Sequence, residues 1–174
     1  MKILICICTY KRNNILNKCL MSFNKAVIPL NLNIKFLIID NTINGNAKSI
    51  INEVKKKINY KISYVNEKKR GIVYARNKCL DEVRKINCDY FSFLDDDCEI
   101  DKRWFVNFKK IVNTQKVKIV TGPQIHKSNE KNNNNLETIF EKKINNDRKF
   151  VNWAATNNVI ISKDILLSSN LKFD

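Results

Sequence analysis

The sequence predicts an α/β domain built on a largely parallel sheet with helices on its faces. Three observations predict it: short, unbroken apolar runs of strand length, stripes of apolar residues at helical spacing between them, and the alternation of the two along the chain. An apolar run without polar interruption suits a strand covered on both faces, as parallel strands joined by helical crossovers are.

Ile3 to Cys8 and Phe36 to Ile39 are such runs. Between them Ile15, Leu16, Cys19, Leu20 and Phe23 recur at helical spacing, and Pro29 closes the segment. The unit then repeats: Ala47, Ile50, Ile51, Val54 and Ile58 mark a second helix, Ile62 to Val65 a short strand, Ile72 to Ile86 a third helix, and Tyr90 to Leu94 a fourth strand. Trp104, Phe105 and Phe108 predict a short helix, Val117 to Val120 a strand, Val159 to Ile161 another, and Ile165 to Leu167 the start of a last helix. Residues 127–149 are polar, with four consecutive asparagines at 132–135, so a flexible loop is expected there; Leu136, Ile139, Phe140 and Ile144 keep a helical stripe that predicts a short helix within it. His126, the single histidine, is expected in a loop.

A chain of 174 residues, 44% of them hydrophobic, can bury one core, and residues 1–174 are read as a single domain. Lys and Arg number 32 against 17 Asp and Glu, a formal charge of +15 that attracts anions from a distance. No basic stretch is interleaved with aromatic platforms, so nucleic acid is not expected as a partner. An anionic membrane face fits scattered basic residues better. The opening apolar run is too short for a secretory signal, and no stretch approaches the roughly 18 apolar residues that span a bilayer, so a cytoplasmic location is expected, with peripheral membrane contact open. The six cysteines sit in apolar patterns without a CxxC pair and read as small buried hydrophobes of a reducing compartment.

Ligands of open parallel sheets bind outside the carboxyl ends of the strands. The residues just past those ends are Thr9, Tyr10, Lys11 and Arg12, then Asp40 and Asn41, then Asn66 to Gly71, then Asp95, Asp96 and Asp97. Three adjacent carboxylates repel one another and call for a cation. Mg2+ and Mn2+ take one or two protein carboxylates and complete their shell with water and phosphate oxygens, so a metal held against a diphosphate is the expected chemistry.

Two phosphatase patterns compete. Cys6 and Arg12 have the C-x5-R spacing of cysteine phosphatases, but no glycine lies between them to let backbone amides wrap an anion, and Cys6 belongs to the apolar strand. Asp95 and Asp97 form D-x-D, as in aspartate-nucleophile phosphatases, yet Glu99 stands where that chemistry wants Thr or Val.

With these residues in view, the chain resembles the family 2 glycosyltransferases of the GT-A, Rossmann-like fold. The resemblance rests on Cys8-Thr9-Tyr10-Lys11-Arg12-Asn13, Ile38-Ile39-Asp40-Asn41, Arg70-Gly71-Ile72-Val73-Tyr74-Ala75-Arg76-Asn77, Phe93-Leu94-Asp95-Asp96-Asp97, Trp104, Thr121-Gly122-Pro123 and Ala155-Thr156-Asn157-Asn158, in that order. It implies that Thr9, Tyr10 and Arg12 line a nucleotide pocket and that Asp40 accepts a hydrogen bond from the base. Arg76 would face base or phosphates, Asp95 and Asp96 would reach the ribose or the metal shell, and Asp97 would ligate Mg2+ or Mn2+ directly with Asp95 beside it. The implied reaction passes a sugar from a UDP, GDP or dTDP donor to a surface polysaccharide or lipid-linked glycan, with inversion.

Cys8 stands where the family often has proline, and Asn157 where glycine is common. The family's general base lies somewhat beyond a Phe-Asp pair, here Phe173-Asp174, which implies a donor half without its acceptor half and leaves a non-catalytic nucleotide-binding module as the alternative.

Overall fold

The computed structural model describes residues 1–123 and 154–174. Six strands, β1 (Lys2–Thr9), β2 (Asn33–Asp40), β3 (Lys61–Asn66), β4 (Tyr90–Asp95), β5 (Ile119–Thr121) and β6 (Asn158–Ser162), form one sheet in the order β3-β2-β1-β4-β6-β5. The first four pair in parallel, and β6 runs antiparallel to both β4 and β5. The largely parallel expectation therefore holds for one side of the sheet. Its other side is mixed, because β6 arrives late in the chain and inserts between β4 and β5.

The helices are α1 (Asn13–Ser22), α2 (Lys48–Val54), α3 (Ile72–Lys85), α4 (Trp104–Gln115) and α5 (Lys163–Ser168). Alternate side chains of each strand enter opposite cores. Ile3, Ile5 and Ile7 of β1 pack with Leu16 and Leu20 of α1, Ile51 and Val54 of α2, and Phe105 and Phe108 of α4. Leu4 and Cys6 of the same strand pack with Ala75, Cys79, Leu80 and Val83 of α3 and Leu166 of α5. Phe23, just past α1, is fully buried edge-on to Phe36 with ring centroids 4.7 Å apart; its truncation to alanine would cost about 3–5 kcal/mol.

Several boundaries differ from the sequence reading. The first helix ends at Ser22 and passes into a single 3-10 turn at Phe23–Lys25, well before Pro29. The second ends at Val54, although Ile58 still reaches the core through the turn that follows. The helix of Trp104 is longer than expected and stops where Lys116 takes a left-handed φ of 51°. The next strand begins at Ile119 rather than Val117. The polar segment 127–149 and His126 lie outside the described residues.

Register is what builds the site. Thr9 pairs with Asp40, Asp40 with Asn66, and Cys8 with Asp95. The four parallel strands thus end level, and the loops that follow share one rim.

Candidate active site at the carboxyl edge of the sheet

A cleft of about 400 Å³ opens at this rim, lined by residues of the β1, β2 and β4 ends together with the start of α3. The chain turns sharply out of β1 at Lys11, whose φ of 55° is a left-handed conformation costing a non-glycine residue about 1–2 kcal/mol. That turn leads straight into Arg12 and α1. Arg12 Nη1 donates to Asp96 Oδ1 at 3.0 Å and to Asp97 Oδ2 at 3.1 Å, while Thr9 Oγ1 donates to Asp96 Oδ2 at 2.7 Å.

The three aspartates sit in a tight turn in which the Cys98 N–H donates to the Asp95 carbonyl at 3.2 Å. Asp96 turns inward, 4% exposed, with both oxygens bonded. Asp95 and Asp97 stay half open at the rim. Arg76, on the first turns of α3, faces Asp95 with Nη2 3.8 Å from Oδ1. Burial pushes the Asp95 carboxyl above the usual carboxylate range; Arg76 pulls it down and Asp97 pushes it up again. Burial likewise raises Asp96 against the opposing pull of the Thr9 hydroxyl and Arg12.

Arg12, Arg70 and Arg76 line the same cleft as the three carboxylates. Among the described residues no group of three or more His, Cys, Asp or Glu side chains is arranged to hold a metal ion by itself. The half-open carboxylates of Asp95 and Asp97 offer the oxygen ligands that a hard cation takes when it draws the rest of its shell from water and phosphate. The residues present fit Mg2+ or Mn2+ on those terms.

Asp40 lies outside the cleft lining. It is fully buried, and Oδ1 accepts from the Thr42 N–H (3.0 Å) and hydroxyl (2.7 Å), Oδ2 from the Ala47 N–H (2.7 Å) and the Tyr64 hydroxyl (2.8 Å). With four donors on its two oxygens, Asp40 secures the 40–47 loop beside the cleft. Thr9, Tyr10, Arg12, Arg76, Asp95, Asp96 and Asp97 all line the cleft; Asp40 does not.

Cys6 is fully buried against α3, which removes it from any anion and with it the cysteine phosphatase reading. Cys8, at the cleft wall, lies with its Sγ 3.6 Å from that of Cys79, and this contact together with burial pushes its thiol up. All six cysteines are free.

The sequence reading placed Asn41, Arg70 and Gly71 on the rim past the strand ends but gave them no role in the site. Asn41 ties the rim together: its Nδ2 donates to the carbonyls of Glu67 (2.9 Å) and Lys69 (2.7 Å), and its Oδ1 accepts from the Gly71 N–H (2.8 Å). Gly71 opens α3 at φ 134°, a conformation a side chain rarely takes, with the Tyr74 ring close behind it. Arg70 stands with its guanidinium carbon 5.4 Å from the Tyr10 ring, and Lys11 Nζ lies 5.5 Å from the same ring. The basic run Lys68-Lys69-Arg70 before a glycine at a strand end was the available signal.

The motifs after Asp97 meet away from the cleft. Asn158 Oδ1 accepts from Trp104 Nε1 at 3.0 Å, its Nδ2 donates to the Pro123 carbonyl at 3.1 Å, and its carbonyl accepts from the Thr121 hydroxyl at 2.9 Å. A Cβ on Gly122 would come within 2.7 Å of the Asn158 amide.

This geometry has relatives. The model of "Glycosyl transferase family 2" matches residues 4–168. The succinoglycan biosynthesis protein ExoM of Rhizobium meliloti (strain 1021) is 28% identical over 117 residues, covering 67% of this chain and 37% of that protein. Among solved structures, the mannosyltransferase PcManGT from Pyrobaculum calidifontis, in complex with GDP-Man and Mn2+, superposes with a TM-score of 0.59 at 16% identity over 70% of this chain and 35% of its own. S. aureus TarS (residues 1–349) in complex with UDP-GlcNAc gives 0.54 at 20% identity over 74% and 38%. The chain thus spans little more than a third of the length of these relatives. The two structures share the fold, and the family model spans nearly the whole sequence: the chain belongs to glycosyl transferase family 2.

Proposed function

We propose that this chain binds a nucleoside diphosphate sugar in the cleft between β1, β4 and α3 and presents it for inverting transfer to a hydroxyl of a surface polysaccharide or lipid-linked glycan. The observation that carries the reading is the convergence of Arg12, Arg76 and the Asp95–Asp97 turn on one cleft. Arginine is the natural clamp for phosphate oxygens, and carboxylates within the same few ångströms make sense when a divalent cation comes between them and the anion. Asp97, with Asp95 beside it, would hold Mg2+ or Mn2+. When bound, that ion supplies Lewis-acid neutralisation of charge on the departing diphosphate.

The remaining work falls to the chain's own residues. Thr9 and Arg12 hold Asp96 inward and keep Arg12 at the rim. Arg12 bridges Asp96 and Asp97 at the cleft rim, where its guanidinium would reach a phosphate oxygen of the donor. Tyr10, with Arg70 and Lys11 near its ring, offers a flat face to the nucleoside. The Asp40 loop fixes Asn41, and Asn41 fixes the Glu67–Gly71 turn that carries Arg70.

The GDP-Man and Mn2+ of PcManGT and the UDP-GlcNAc of TarS support a nucleotide-sugar donor and a divalent metal, and the succinoglycan role in the name of ExoM supports a polysaccharide acceptor. No helix of the described residues is long and apolar enough to cross a membrane, and the +15 charge favours peripheral contact with an anionic face. The test is calorimetry of the purified chain against UDP, GDP and dTDP with and without MnCl2. Tight binding of one nucleotide that depends on Mn2+ is expected; equal affinity in its absence would refute the metal assignment, and no binding of any nucleotide would refute the donor site.

A further inference from the structure

The segment after α5 comes back to the far side of the cleft wall. Arg84 Nη2 donates to the Leu171 carbonyl at 3.3 Å. Two residues on, the Phe173 N–H donates to Asn77 Oδ1 and the Phe173 carbonyl accepts from Asn77 Nδ2, both at 2.8 Å. One side-chain amide thereby satisfies both backbone polar groups of a single residue, as a neighbouring strand would, and the backbone of Phe173 is fixed against α3. Its ring has nowhere to go but inward: it stands edge-on to Phe93 of β4 with centroids 5.5 Å apart, and the Arg76 guanidinium carbon lies 5.6 Å from its centroid. Arg76 is the residue directly before Asn77, so the clamp and the arginine share one turn of helix.

Arg76 needs such a support. Its nearest carboxylate, Asp95, is at 3.8 Å, too long for a hydrogen bond, and contact with an aromatic face holds a guanidinium without using its N–H groups. We propose that Phe173, clamped by Asn77, is a positioning residue that holds the Arg76 guanidinium at the cleft with its N–H donors free for the ligand's diphosphate. The inference rests on the reading that the cleft takes a nucleoside diphosphate. An arginine already ordered loses less freedom when phosphate arrives, so the effect should appear in affinity for the diphosphate and not for the nucleoside.

The experiment is calorimetry with MnCl2, using UDP or GDP, whichever the parent chain binds more tightly, and the matching nucleoside. The variants are Phe173→Leu, Phe173→Tyr, Arg76→Ala and Arg76→Ala combined with Phe173→Leu. Leucine keeps an apolar contact on Phe93, and melting curves check that each variant folds. Phe173→Leu should weaken the diphosphate about fivefold while leaving the nucleoside unchanged. Phe173→Tyr should restore parental affinity, and Phe173→Leu should add no further loss once Arg76 is alanine. Parental affinity in Phe173→Leu, an equal loss for nucleoside and diphosphate, or the same loss with Arg76 absent would each overturn the proposal while leaving the donor site standing. A parent chain that binds neither diphosphate overturns both.

Discussion

Two strands of the same sheet end in aspartate, and the two ends behave in opposite ways. Asp40 closes β2 fully buried, with four donors on its two oxygens. Asp95 closes β4 with a single cation at 3.8 Å, beside two more carboxylates, and burial lifts its carboxyl above the usual range. A carboxylate saturated by neutral donors is part of the scaffold; one left short of donors next to its own kind is poised for an incoming charge. Position at the carboxyl end of a strand does not separate the two. The count of donors does.

The largest effect should fall on the closed end. Asp40→Ala leaves two backbone N–H groups and two hydroxyls facing an apolar gap, and should cost about 2–4 kcal/mol of stability in urea denaturation. Asp97→Ala should do the reverse: a half-exposed residue with one ion pair, it should leave the denaturation midpoint nearly unchanged yet weaken Mn2+-dependent nucleotide binding by roughly tenfold or more in calorimetry. If Asp97→Ala unfolds the chain and Asp40→Ala abolishes only binding, the contrast is inverted. A smaller change sharpens the closed end: Tyr64→Phe removes one of Asp40's four donors and should cost about 1 kcal/mol by the same urea measurement.

The smallest effect concerns pH. With Asp95 and Asp96 raised in the folded state, the native protein keeps protons that the unfolded chain has already released. Their contribution to stability is therefore present in full below the usual carboxylate range and is lost as pH rises through the raised values. Asp95→Asn removes one such group, so the stability of the parent relative to this variant should fall as pH rises from the usual carboxylate range through the raised value, by less than about 1 kcal/mol because Asp95 is half exposed. Melting curves of both proteins across that range check the direction; a parent that gains on the variant as pH rises would show that Arg76, not burial, dominates at Asp95.

How much of this was legible in the sequence follows from what each feature depends on. The strands β1 to β4 were readable because unbroken apolar runs have few other uses, and the Asp95–Asp97 turn was readable because three carboxylates after such a run need an explanation. The place of β6 was not readable: five residues from the far end of the chain slot antiparallel between β4 and β5, and no local pattern records pairing over that distance. The four donors on Asp40 were not readable, because they come from Thr42, Ala47 and Tyr64, which meet it only once the loop and β3 are in place. The contact of Arg70 with Tyr10 and the Asn77 clamp were hidden for the same reason, since Tyr10 and Phe173, their partners, are distant in sequence.

The central claim is that the open end at Asp95–Asp97 receives a divalent cation together with a diphosphate. Electron paramagnetic resonance of Mn2+ titrated with the chain in the presence of UDP or GDP tests it without relying on sugar transfer. The account predicts that the free-ion signal falls as parent protein is added and persists with Asp97→Ala. A free-ion signal unchanged by the parent, or quenched equally by Asp97→Ala, would contradict it.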